Sequence, residues 1–281
     1  MIINELRDKY SVGLLCHITK VSRSGYYNYI KSQSNKIEKD RQLKDVLLFE
    51  YKRLKGIYGY RRMRILLRKK YFIKINHKKV FRLLKEMGLE SRIRRKRTYL
   101  KNIEKGKNIY PNILNRNFKS NIPNRKWVTD ISYLLFKGQK MYLSVFKDLF
   151  NNEIVGYKVS KNIDMNLVMD SLREALDNKK INNLIIHSDQ GFHYQTGTYS
   201  NFLKEKGITQ SMSGKGNCYD NAPMENFFGH LKSEVLYNIN INTKDELKKE
   251  IDDYISFYNG ERIQEKLNEM SPIEYRNNHQ S

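Results

Sequence analysis

Cysteine and proline are scarce in this chain, and long apolar runs are missing. Among 281 residues only Cys16 and Cys218 are cysteines. They lie far apart, in different expected domains, which excludes a structural disulfide or a cysteine-held zinc site and makes a reducing cytoplasm the default compartment. No stretch approaches the roughly 18 consecutive apolar residues of a membrane span. The opening MIINELRDKYSVGLLCHITK lacks the layout of a signal peptide. Acidic residues are also scarce, but only in one part. Residues 1–123 hold 9 Asp+Glu against 33 Lys+Arg, a net of +24, whereas residues 124–281 hold 21 against 20, a net of −1. The whole excess of +23 therefore belongs to the first part. A block of that sign and size suits a polyanion, DNA or RNA. A membrane surface fits less well, because no amphipathic anchor accompanies the charge.

What is present is enough for packed cores. Apolar residues make up 39% of the chain and aromatics 12%, which excludes global disorder, and the length suits two domains. Residues 1–35 read as a small helical, helix-turn-helix-like segment: Leu6, Tyr10, Leu14 and Leu15 recur at helical spacing, and Ser22 can cap SRSGYYNYIKS. Residues 36–98 read as a basic helix-turn-helix DNA-binding domain. There Leu43, Leu47, Tyr51 and Leu54 share a face, KGIYGYRRMRILLRKKY breaks at Gly56 and Gly59, and Asn76 caps NHKKVFRLLKEMG. A solvated face is the ordinary reading of such charge. Charges nearly all positive, however, repel one another unless a polyanion screens them. Arg61, Arg62, Arg92, Arg94, Arg95, Lys96 and Arg97 are the candidate DNA contacts. Residues 99–123, polar and marked by Pro111 and Pro123, read as a linker.

From residue 124 the text changes to an α/β core reaching residue 281 and closing in a helical motif. WVTDISYLLF, KMYLSVFKDLF and EIVGYKVS are three strand-like runs joined by short turns. A helix follows over 164–176, then a buried strand running out at His187-Ser188-Asp189. Next come a helix over about 196–206, a short strand at 208–210, the loop SGKGNCYD, and helices over about 221–237 and 243–258. This order describes a mixed five-stranded sheet with flanking helices.

Three acids stand in largely uncharged text. Asp130 lies mid-strand and shares a face with Val128 and Ser132. An acid there is expensive to bury unless it is paired or metal-bound. Asp189 sits just past a strand end, where ligand sites of open sheets lie. Glu225, with 35 residues between it and Asp189, is on a helix, with Asn221 one turn before it and Lys232 two turns after it on the same face. Carboxylates without His or Cys partners favour Mg2+ or Mn2+. Two such ions about 4 Å apart activate a nucleophile and stabilise the leaving oxygen at a phosphodiester. A cap, turn or surface charge explains any one of these acids alone, but not the trio in this order. His187 and His193 flank Asp189; packing or surface roles are the ordinary reading, and orientation of Asp189 or a phosphate is the functional one.

Asp130 in WVTDIS, Asp189 in HSDQGFHY and Glu225 in NAPMENFFGHLKSE resemble the Asp-Asp-Glu triad of integrase-type insertion-sequence transposases, specifically the downstream-frame (orfB-type) proteins, relatives of retroviral integrases. YGYRRMRILLRKK, VSRSGYYNYIK and the closing YNGERIQEKLNEMSPIEYR extend the resemblance over nearly the whole chain. The closing motif departs in one place, Gln264, where the family often has His. The resemblance implies a ribonuclease-H-like core and a metal site of Asp130, Asp189 and Glu225 holding two Mg2+ (or Mn2+). It implies cleavage at element ends to free a 3′-OH, then transfer of that 3′-OH to DNA. Lys232 and Arg262 match basic positions that face DNA. It further implies DNA ends and target as partners, a homo-multimer on DNA, an upstream-frame helix-turn-helix protein or fusion, and a cytoplasmic, nucleoid-associated location. A catalytically silent DNA-binding inhibitor of transposition is the alternative, and a nuclease of RNA–DNA hybrids is a third reading. The SGKGNCYD loop is expected to be mobile, with Glu225 standing off the aspartates when no metal is bound.

Overall fold

The computed structural model describes residues 2–92, 108–136, 139–214, 218–236, 241 and 243–279. It divides into two compact units, residues 1–92 and 93–281.

In the first unit, α1 (Ile2–Leu6) and α2 (Val12–Ile18) pack on the start of α3 (Arg23–Arg53), burying Ile3, Leu15, Cys16 and Tyr26 together. Ser22 caps α3 by accepting the Gly25 amide. No break in α3 marks the expected division near residue 35. Neither Gly nor Pro occurs between Gly25 and Gly56, so nothing stops the helix and it continues for 31 residues. Helices α4 (Tyr60–Tyr71) and α5 (His77–Glu86) complete the unit, with Asn76 accepting the Lys78 amide at 2.8 Å as the cap of α5. Leu43, Leu47, Met63, Leu67, Val80 and Leu83 form the buried side of these helices.

Electrostatics inside this unit differ from the expectation of unscreened self-repulsion. Asp40 on α3 pairs with Lys79 at 2.6 Å and Arg82 at 2.8 Å, and Glu86 pairs with Lys44 at 2.8 Å. The buried carboxylate of Glu50 accepts from Arg53, Lys70 and Tyr71 at 2.6–2.7 Å, which fastens α3 to α4. Asp40, Glu50 and Glu86 thus neutralise partly exposed cations at the seams between these helices.

The second unit is built on a sheet of order β3-β2-β1-β4-β5. Strands β1 (Lys126–Phe136), β2 (Gln139–Asp148) and β3 (Ile154–Ser160) are antiparallel, whereas β4 (Ile185–Ser188) and β5 (Thr209–Met212) run parallel to β1. Alternation along β1 separates two cores. Trp127 and Phe146 face a layer with α6 (Met165–Leu176) and α7 (Gly197–Glu205), while Val128, Leu134 and Val145 face α8 (Ala222–Leu231) and α9 (Lys244–Gly260). Gly156 allows the close approach of β3 to α6, since a Cβ there would lie 2.5 Å from the Ser171 carbonyl oxygen. Helix α10 (Pro272–Asn278) ends the chain under a Ser271/Glu274 capping box.

The stretch expected to be a linker is packed over its described part. Leu114 is buried in the α8–α9 core, and the amides of Ile113 and Leu114 donate to Ser211 Oγ on β5 at 2.9 and 3.3 Å.

Candidate active site

Parallel pairing of β1 with β4 brings the first two acids together. Val128 is registered against His187. Asp130 and Asp189 each lie two residues further along, so they occupy neighbouring positions on the same face, on strands about 5 Å apart. Asp130 is half-buried mid-strand and its Oδ1 accepts the Ile131 amide at 2.7 Å. Asp189 is exposed just beyond the end of β4, and its Oδ1 accepts the Gly191 amide at 2.9 Å. Gly191 leaves room for that arrangement, because a Cβ there would come within 2.9 Å of the same oxygen.

Glu225 arrives on the first turn of α8, which packs on the same face of β1. Burial raises Asp130 well above the usual carboxylate range. The charge of Asp189, and then that of Glu225, adds to this, against the Ile131 amide and Lys232. Crowding by surrounding protein raises Asp189 too, offset in part by the Gly191 amide and His193. The three acids therefore act on one another, yet among the described residues no group of three His, Cys, Asp or Glu side chains is gathered closely enough to share a metal ion.

Beneath the two aspartates the hydroxyl of Tyr194 lies 3.3 Å from Thr129 Oγ1. Burial, and after it the charges of Asp130 and Asp189, keeps that phenol protonated well past its usual range. Nothing in the sequence marks this residue beyond its place in HSDQGFHY.

The flanking residues fall into place less uniformly. Lys232 shares the acids' face but is buried. Its Nζ donates to Ser132 Oγ and lies 5.0 Å from the centre of the Tyr133 ring. It begins a π-helical turn, Lys232–Leu236, that continues α8. His187 lies on the same face of the sheet, two residues before Asp189, but bonds β5 rather than an acid. It is buried, with Nδ1 2.9 Å from Ser211 Oγ. That hydroxyl already accepts two amides. Its own proton therefore goes to Nδ1, and the ring is neutral with hydrogen on Nε2. Burial lowers its pKa, with Asp220 opposing. His193 directs Nε2 at the Ile163 carbonyl, 3.3 Å away.

Arg262 is seated differently from the expectation of a DNA-facing residue. It is 2% exposed and forks onto Glu234, with Nη2–Oε1 at 2.6 Å and Nε–Oε2 at 3.0 Å, leaving its guanidinium no open face for a phosphate. In the first unit Arg61 is exposed and lies over the Tyr60 ring, and Arg62 lies half-buried over Tyr58. Arg92 is half-buried, its amide donating to Gly56. Arg94, Arg95, Lys96 and Arg97 lie outside the described residues, as do residues 215–217 of the SGKGNCYD loop. Gln264 pairs with Met270 in an isolated bridge and accepts from Asn152 Nδ2 at 3.2 Å, a structural position remote from the acids in sequence.

Known proteins resemble the chain throughout. The family described as Integrase core domain matches residues 120–218 and again 225–279, and the HTH-like domain family matches residues 38–97. The InsK protein of insertion sequence element IS150 from Escherichia coli (strain K12) is 43% identical over 279 residues, covering 98% of this chain and 97% of that protein. Transposase InsF for insertion sequence IS3A, from the same organism, is 30% identical over 283 residues, covering 99% and 98%. Among solved structures, the HTLV-2 integrase catalytic core domain in complex with magnesium is similar at a TM-score of 0.45 and 17% identity, covering 54% of this chain and 95% of that one. Identity that runs from end to end of both chains settles the affiliation: the chain belongs to the insertion-sequence transposases, built from an HTH-like domain and an integrase core.

Proposed function

We propose that this chain is a divalent-metal-dependent DNA transposase that cleaves DNA at the ends of its insertion sequence and transfers the freed 3′-OH to a second DNA. The observation that carries this reading is the parallel register placing Asp130 beside Asp189, with the helix of Glu225 packed on the same face. The donor set fits Mg2+ or Mn2+. It consists of carboxylate oxygens without thiolates, and Asp130 is raised first by burial and then by the charges of Asp189 and Glu225, a repulsion that a cation would relieve. Asp130, Asp189 and Glu225 would hold the metal, two ions in the full reading, and the bound metal supplies nucleophile activation and charge neutralisation at the scissile phosphate.

The protein's own groups prepare that site. Gly191 and the Ile131 amide orient the two aspartates. Lys232 supplies positive charge beside Asp130 from a dry position, braced on Ser132 and Tyr133. The basic first part of the chain, +24 over residues 1–123, holds the DNA backbone through exposed cations such as Arg61. Several copies assembled on paired ends, with an upstream-frame helix-turn-helix protein or fusion reading them, complete the reading.

The test uses purified full chain with a duplex copy of its element's end and Mg2+. Wild type is expected to nick and join this DNA. Asp189→Asn and Glu225→Gln are expected to bind DNA but do neither. Strand joining that survives in either variant sinks the assignment, and binding without joining by wild type favours a silent regulator.

A further inference from the structure

Glu225 is the one acid of the trio carried on a helix, so its distance from Asp130 depends on how α8 is held against β1. The start of α8 is held in an unusual manner. Asn221 occupies the N-cap position, yet its side chain makes no cap bond. Instead Nδ2 reaches across to the sheet and donates to the carbonyl oxygen of Thr129 at 3.1 Å, in a buried contact. Thr129 is the residue immediately before Asp130. An asparagine at this position ordinarily caps its own helix. Here that role is given up for a bond to the neighbour of a candidate metal ligand.

A second set of bonds holds the other side of the same turn. Asp220 is buried and accepts from Arg116 Nε at 2.8 Å, Asn112 Nδ2 at 3.1 Å and the Gly214 amide at 3.0 Å. From β2, Lys147 Nζ lies 3.4 Å from the Pro223 carbonyl, two residues before Glu225.

We propose that Asn221 is a positioning residue that sets the spacing of Glu225 from Asp130 by bonding the Thr129 carbonyl, with Arg116 clasping the same turn through Asp220. The proposal rests on the reading of the three acids as a metal site. It adds two residues that touch neither metal nor DNA in that reading and act through Glu225. The geometry also separates them by role: Asn221 fixes the helix to the strand, and Arg116 keeps the turn before it from swinging away.

The experiment uses the full chain and Mn2+ alone as probe. Metal binding is followed by the rise in unfolding temperature on Mn2+ titration, which needs no DNA and no turnover. Strand joining in Mg2+ and in Mn2+ is measured in parallel. Asn221→Leu removes the donor at similar volume, Asn221→Gln keeps an amide on a longer stem, and Arg116→Ala opens the outer clasp at an exposed side chain. Residues that orient metal ligands typically change affinity or activity by about 10- to 100-fold. Asn221→Leu is expected to lose affinity for Mn2+ in that range. Joining should fall further in Mg2+, which demands stricter geometry, than in Mn2+. Asn221→Gln should recover part of the loss, and Arg116→Ala should move the same way by a smaller factor. Wild-type Mn2+ affinity and an unchanged Mg2+/Mn2+ ratio in both Asn221→Leu and Arg116→Ala would overturn the proposal. Should Asn221→Leu fail to fold, Arg116→Ala decides alone. Absence of a Mn2+ response in wild type, or an unaltered response in Glu225→Gln, overturns the metal-site reading instead.

Discussion

Replacing Arg262 should cost stability rather than DNA affinity. Its guanidinium and the Glu234 carboxylate are both almost wholly buried, bonded at 2.6 and 3.0 Å, and Tyr254 donates to the same carboxylate at 2.8 Å. Taking away one partner strands a buried charge, a loss of about 3–5 kcal/mol. Against a total stability of about 5–15 kcal/mol, that is a large share. His230, 3.6 Å from Glu234, compensates only when protonated. The pH dependence follows from Glu234. Burial pushes its acid upward, but the charge and hydrogen bonds of Arg262 outweigh this and hold it below the ordinary range. A carboxylate with a lowered folded pKa contributes stability above its unfolded value, about 4.5, and loses it as pH falls through the folded value. In Arg262→Met the carboxyl can relieve its burial by taking up a proton, so the deficit should be greatest near pH 7.5 and shrink toward pH about 4.5. Urea unfolding at both pH values measures this. Glu234→Leu combined with Arg262→Met should regain most of the loss, because paired removal leaves no stranded charge. DNA binding across a salt series is the counter-assay, since each lost phosphate contact lowers the slope of log affinity by about 0.9. An Arg262→Met protein with a wild-type urea midpoint and a salt slope lower by that amount would refute the structural role.

Three further outcomes are expected. Burial, ahead of the charges of Arg262 and Lys266, pushes Lys147 down to about 7 from an ordinary 10.5, so carrying its charge costs up to about 5 kcal/mol. That cost is full below about pH 7 and fades as pH rises toward 10.5. Lys147→Met should therefore stabilise most at low pH, and a gain in urea midpoint that does not shrink between pH 7 and 10 would contradict it. Leu114→Ala should cost about 2–5 kcal/mol, the range for a buried leucine, whereas a leucine in a free linker would cost almost nothing on thermal unfolding. Gly191→Ala should displace the Asp189 oxygen it would approach at 2.9 Å, so joining should fall at least tenfold while DNA binding stays intact, and full activity would show that the cradle tolerates a methyl group.

The parts of this protein legible in its sequence are those set by local pattern. Two-residue alternation in WVTDISYLLF placed Asp130 on the face of Val128 and Ser132, and the structure packs Val128 against α8 there. Caps at Ser22 and Asn76 and the glycine stop at Gly88, φ +65, follow from single residues. Long-range pairing was hidden. Arg116 and Asp220 are 104 residues apart, and nothing near either one names the other. The positive text of α5 looked unscreened because Asp40, its counter-charge, stands on α3. Arg262 read as a DNA contact because a motif match carries position without burial. Helix α10 is signalled inside the closing motif by Ser271-Pro272-Ile273-Glu274, a capping-box signature.

The fastening of residues 108–118 bears on how the chain can be cut. The apolar strand text begins at residue 124, and a catalytic fragment would naturally be started there. Such a fragment loses Leu114 from its core, strips Asn112 and Arg116 from the buried Asp220, and removes the two amides that fix the Ser211 hydroxyl toward His187. A fragment begun ahead of residue 108 keeps all of them. The smallest piece that preserves the geometry around Glu225 is therefore longer at its beginning than the sheet it contains.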